Sequence, residues 1–188
     1  MNIKKFAIIF IVIIVATTVY FFFINNIFRE NSRLDSRKFA SNNMKISSSA
    51  FQNNSSIPSL YTCDGSNINP PLTFSDVPAE AKSLVLIMDD PDAPMGVWDH
   101  WIVFNMPPIT KEIKEGNKPA GVKGMTSFKK INYGGPCPPD REHRYFFKLY
   151  ALDAILDLPE GSTKKEVEAA MQGHILAEAE LIGKYNRK

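Results

Sequence analysis

The apolar run SLVLIM, Ser83 to Met88, ends directly in DDPDAP, Asp89 to Pro94. This junction constrains the fold more than any other stretch. An apolar run of strand length, without alternation, predicts a central strand covered on both faces. The prolines at 91 and 94 then fix the backbone and withdraw donors, so the strand must end at a rigid corner. Carboxylates at a strand exit often serve as solvated turn formers. A proline-stiffened corner is also a sound mount for an oriented carboxylate.

The same grammar recurs along the chain. Trp101 to Met106 is another strand-like run, stopped by Pro107-Pro108, and RYFFKLYAL, Arg144 to Leu152, is a third, rich in aromatics. Met44-Lys45-Ile46 opens a shorter one, and Pro70 to Phe74 is extended because proline restricts itself and its predecessor. The Gly- and Lys-rich stretch 111–135 has weak period and predicts mostly loop. With 13 prolines and 13 phenylalanines, the composition suits a loop-rich β fold. The tail differs. Thr163-Lys164-Lys165-Glu166 matches a capping box, and Val167, Ala170, Met171, Ile175, Ala179, Ile182 and Tyr185 follow at helical spacing. The expectation is two helices divided at Gly173. Strands first and helices last make the class mostly β (α+β), with C-terminal helices.

The N-terminus predicts a separate piece. Phe6 to Ile24 holds 19 residues without a charge. As a helix they would span about 28 Å, close to the hydrocarbon thickness. A cleavable signal is the rival, but Ala16-Thr17-Thr18 is a poor small-residue cleavage site and the apolar run continues past it. The expected organisation is a cytoplasmic tail and transmembrane signal anchor over 1–25, a polar linker over 26–43, and a domain over 44–188. Lys4 and Lys5 before a single apolar run suit an N-in anchor, hence a single-pass membrane protein with an extracytoplasmic domain. Arg29, Arg33, Arg37 and Lys38 beyond the run weigh for the opposite orientation.

The 22 basic and 20 acidic residues leave a net charge of +2, which gives no reason to expect nucleic acid as a partner. The two cysteines, Cys63 and Cys137, lie in Pro/Gly-rich loops without zinc spacing. A disulfide between them and two unpaired thiols are both open readings.

Three stretches concentrate chemistry: the Asp90 corner, Trp98-Asp99-His100-Trp101, and GGPCPP running on to His143-Arg144-Tyr145. On a regular strand, His100 would face away from Asp99 and Trp101, and His143 and Tyr145 would share a face. Asp90, His100, His143 and Tyr145 together suggest a small-anion pocket, with imidazoles and a phenol as donors and a carboxylate holding a ring protonated. A 2-His-1-carboxylate metal site is the competitor. Asp99 and His100 are adjacent and would point apart, so neither a metal nor another cofactor is expected.

YTCDGSNINPPLTFSDVP (61–78), DPDAP (90–94), WDHW (98–101), GGPCPP (134–139), HRYFFKLYALD (143–153) and GHILAEAELIGKY (173–185) follow one another in order. In this series the chain resembles the phosphatidylethanolamine-binding protein family, in its bacterial and archaeal Raf-kinase-inhibitor-like branch. The resemblance implies a large antiparallel sheet packed on a smaller one, with terminal helices at the side. It implies a pocket for phosphate or phosphoryl headgroups, carried onto Asp90, His100, His143 and Tyr145, with Pro138 and Pro139 as its lip. The loop PPDREHRY departs from the family pattern, which would place a glycine near Arg141. The expected function is a non-enzymatic binding module for a small anion or phosphoryl headgroup, regulating a protein partner. A surface-acting inhibitor of a kinase or protease is the alternative. A His/Asp hydrolase or lyase ranks below both, since no G-x-S-x-G nucleophile is present.

Overall fold

The computed structural model describes residues 20–26 and 43–187. The chain divides into two compact units, Met1–Ala40 and Ser41–Lys188. In the first, residues 20–26 are helical and the side chains of Tyr20 to Phe23 are exposed. The expected transmembrane helix is corrected here. Among the described residues no helix is long and apolar enough to cross a membrane. Residues 6–19 of the apolar run, and 27–42 of the expected linker, lie outside the described residues. The membrane partner and the single-pass, extracytoplasmic location rested on that helix and fall with it.

In the second unit the described residues form nine strands: β1 (Lys45–Ser47), β2 (Ser55–Ser56), β3 (Leu72–Ser75), β4 (Ser83–Asp90), β5 (Trp98–Met106), β6 (Glu112–Ile113), β7 (Val122–Lys123), β8 (His143–Leu152) and β9 (Ile175–Tyr185). One helix, α1 (Lys164–Met171), precedes β9. The larger sheet runs β2-β9-β8-β4-β5-β7 and the smaller β1-β3-β6. The pairings are antiparallel except for the two-residue β2, which lies parallel to β9.

All eight residues of β4 are buried, as its unbroken apolar run predicts. Leu84, Leu86 and Met88 join Ile46, Phe74, Phe147 and Leu181 in the main core, which also includes residues of the smaller sheet. Val85 and Ile87 face the other way, with Ile102, Phe104, Val167 and Met171 of the core under α1. At the strand end this alternation separates two carboxylates. Asp89 turns to the α1 side, where it accepts from Lys148 Nζ at 2.9 Å and from Lys164 Nζ. Asp90 turns to the opposite side.

The second expected C-terminal helix is a strand. The capping box forms, with Glu166 N donating to Thr163 Oγ1 and Thr163 N to Glu166 Oε2. The helix then stops, because Gly173 takes φ +80°, a left-handed conformation that ends helices. Beyond it, β9 pairs with β8 from Leu152↔Ile175 to His143↔Tyr185. Ala177, Leu181 and Gly183 are buried while Glu178 and Glu180 are not, a period of two that overrides the apparent helical period. Gly183 is needed there, since a Cβ would come within 2.4 Å of Ile57.

Candidate functional site

The end of β4 and the beginnings of β5 and β8 meet at one cavity of about 370 Å³. Asp90, His100, Pro139, His143 and Tyr145 line it, joined by Pro94, Met95, Trp98, Phe128 and Cys137. Of the residues expected from sequence, only Pro138 is not among the lining residues; it is buried in the loop.

His100 reaches the cavity through an irregularity. Met88 pairs with Trp101, but the next residue, Asp89, pairs with Asp99, so β5 carries one extra residue at His100. Such a bulge re-aims a side chain. His100 therefore lies on the same side as Trp101, which packs in the main core, whereas Asp99 lies within 3.3 Å of Lys164 Nζ. The expected opposition of His100 and Trp101 is corrected on this ground. The His100 ring stands edge-on to Tyr145, with centroids 5.2 Å apart. Its Nδ1 lies 2.6 Å from the Gly134 carbonyl oxygen. A carbonyl only accepts, so Nδ1 carries the proton. Burial lowers the His100 pKa, outweighing the Gly134 carbonyl and nearby aspartates. The ring is then neutral near neutral pH and Nε2 is an acceptor, not the donor expected from sequence.

His143 is the opposite case. Its side chain is fully buried. Nδ1 donates to Asp90 Oδ2 at 2.7 Å and Nε2 to Asp140 Oδ1 at 2.9 Å. Burial acts to lower its pKa, but the hydrogen bonds to Asp90 and Asp140 raise it further, and the net shift is upward. An imidazole that donates from both nitrogens is an imidazolium. Asp90 is itself oriented, since its Oδ1 accepts from Asp92 N at 2.8 Å. Asp92 in turn takes Arg144 bidentately, at 2.8 Å from Nε and 2.7 Å from the second guanidinium nitrogen. Chiefly through that contact, the Asp92 pKa falls to about 2.

Tyr145 is fully buried, and its hydroxyl has no hydrogen-bond partner among the described residues. Burial, with Asp90 nearby, holds its pKa well above the usual phenol range. A buried hydroxyl without a partner is costly in a finished core. Here it lines a cavity that a ligand can enter.

The lip is fastened from outside. Cys63 and Cys137 form a disulfide with Cα atoms 5.4 Å apart, and Cys63 N donates to the Pro136 carbonyl at 3.0 Å. Gly135 N donates to Asn67 Oδ1 at 2.7 Å. A Cβ on Gly135 would meet the Tyr61 carbonyl oxygen at 2.4 Å, so this close approach requires glycine. Asp92, Asp140 and Arg144 escaped the sequence reading, because ordinary surface carboxylates and arginines carry no signal until their partners are known. Among the described residues no group of three His, Cys, Asp or Glu side chains is placed to hold a metal ion.

The family model for phosphatidylethanolamine-binding protein matches residues 47–186. A UPF0098 protein of Methanothermobacter thermautotrophicus is 52% identical over 150 residues, covering 77% of this chain and 99% of the relative. The crystal structure of the homolog CT736 from Chlamydia trachomatis is similar at 49% identity and a TM-score of 0.76, over 79% of this chain and 100% of that one. YbcL of E. coli, a member of the mammalian family by its own description, is similar at 29% identity and a TM-score of 0.72, over 77% of this chain and 99% of that one. With the family model spanning 47–186 and a relative 52% identical over nearly its whole length, the chain belongs to the phosphatidylethanolamine-binding protein family, a family of binding proteins.

Proposed function

We propose that the cavity at the ends of β4, β5 and β8 binds a phosphoryl-bearing anion, and that the protein is a binding module rather than an enzyme. The observation that carries this reading is the buried, unpartnered hydroxyl of Tyr145 beside the imidazolium of His143. The phenol offers a donor and the imidazolium a positive charge. His100 Nε2 can accept from a protonated phosphate oxygen or from a ligand amine. Trp98, Phe128, Pro94 and Pro139 supply apolar walls, so the ligand carries more than a bare anion. A non-enzymatic role is supported by the lining: its one cysteine, Cys137, is disulfide-bonded and so is no nucleophile.

Titration calorimetry with inorganic phosphate and phosphoethanolamine tests the reading. Tyr145→Phe removes one hydrogen bond to a charged ligand and is expected to weaken binding about ten- to a hundredfold, with circular dichroism unchanged. Equal affinity in Tyr145→Phe and His100→Ala would remove the cavity from the account. A surface-acting inhibitor of a kinase or protease would then lead. The exposed side chains of Met95 and Val97 near the cavity favour that second reading.

A further inference from the structure

A buried imidazolium would be the natural seat for an entering anion, yet both of its donors are occupied. Asp90 takes Nδ1 from within the protein, and its own side chain is 4% exposed. Asp140 takes Nε2 from the lip loop, and its side chain is 45% exposed. The two carboxylates differ in what holds them. Asp90 is fixed by strand β4 and by Asp92 N. Asp140 sits outside any strand, three residues before His143, and its other oxygen is held by solvent-exposed Arg141 at 2.8 Å. Taken together, Asp90, Asp140, His143 and Arg141 sum to zero, and the other close pair, Asp92 with Arg144, is also neutral. An anion that enters with Asp140 in place finds no free donor on His143.

We propose that Asp140 is a resident anion on His143 Nε2, which an incoming phosphoryl group must displace, and that it sets the specificity of the site. This rests on the anion reading above. A tethered carboxylate acts at an effective concentration of about millimolar or more. A free monocarboxylate offers His143 nothing that Asp140 does not already supply, so it loses the competition. A phosphoryl group carries further oxygens, and one can meet the Tyr145 hydroxyl while another holds Nε2. The site therefore selects tetrahedral oxyanions over carboxylates. Asp140 can leave together with exposed Arg141, whose other bond, to the Asp92 carbonyl oxygen, is long at 3.4 Å.

The test uses the full chain and inorganic phosphate. Asp140→Asn keeps the shape and removes the charge. Calorimetry is expected to show phosphate bound at least tenfold more tightly by the variant than by the parent, with acetate binding gained only in the variant. A second readout follows the Asp140 carboxyl carbon by NMR in the parent protein. Its titration, now held low chiefly by His143, should move up when phosphate is added. If the parent binds phosphate but Asp140→Asn binds no more tightly and the carboxyl titration stays unmoved, Asp140 is not displaced and the proposal falls alone. If neither protein binds phosphate, the anion reading falls and takes the proposal with it.

Discussion

His143 Nδ1 donates to Asp90 Oδ2 across 2.7 Å, joining the ends of the neighbouring strands β8 and β4 beneath the cavity. Removing one member of such a buried pair leaves the other without compensation. Asp90→Asn is expected to cost roughly 3–5 kcal/mol of stability, measured by urea unfolding. The pair also makes stability depend on pH. The His143 pKa is raised on folding, so its contribution is fully present below the unfolded value of about 6.5 and is lost as pH rises through the folded value. The urea midpoint should fall over that window. Asp90→Asn should shrink the slope, with Asp140 retaining part of it. A slope identical in parent and variant would show that Asp90 does not hold the imidazolium.

The Cys63–Cys137 bond closes a loop with a sequence separation of 74 and ties the lip to the loop after the Ser59–Tyr61 turn. Loop-closure entropy for that length corresponds to roughly 4 kcal/mol. Replacing both cysteines by serine should lower the unfolding midpoint accordingly, and dithiothreitol should lower it in the parent but not in the variant. Phosphate affinity should change as well, because Pro139, which walls the cavity, lies two residues after Cys137. Parent and variant that unfold together under oxidising conditions would contradict this.

Gly183 tests the strand assignment of the C-terminal segment. A Cβ there would lie 2.4 Å from Ile57 Cγ1 and 2.9 Å from Phe51 Cε2. Gly183→Ala should therefore destabilise by about 1–3 kcal/mol through overpacking. On a helix the same exchange would stabilise, since alanine is the better helix former by about 1 kcal/mol. The sign of the change in the thermal midpoint decides between them.

The central strands were legible because burial on both faces demands unbroken apolar runs, and the prolines at 91, 94, 107 and 108 mark where such runs stop. That Asp90, His143 and Tyr145 lie at strand ends followed from the same punctuation. The C-terminal strand was misread because Ile175, Ala179 and Ile182 continue by coincidence the helical period that Val167 and Met171 follow on α1. Only the partner strand β8, which supplies backbone bonds along β9, decides that Ala177, Leu181 and Gly183 face inward.

What the chain's own order of residues determined is the apolar strand set, its rigid proline corners and the candidates they carry to one end of a sheet. Three matters were left to tertiary structure. His100 turns into the cavity because β5 has one residue more than β4 between paired neighbours, a relation between two strands that neither contains alone. His143 is charged and His100 neutral because one is met by two carboxylates and the other by a carbonyl within a buried site. Asp140 reaches Nε2 because a disulfide and a glycine hold the lip down at that point. Protonation and access depend on which groups lie within a few ångströms, and local sequence does not encode those distances.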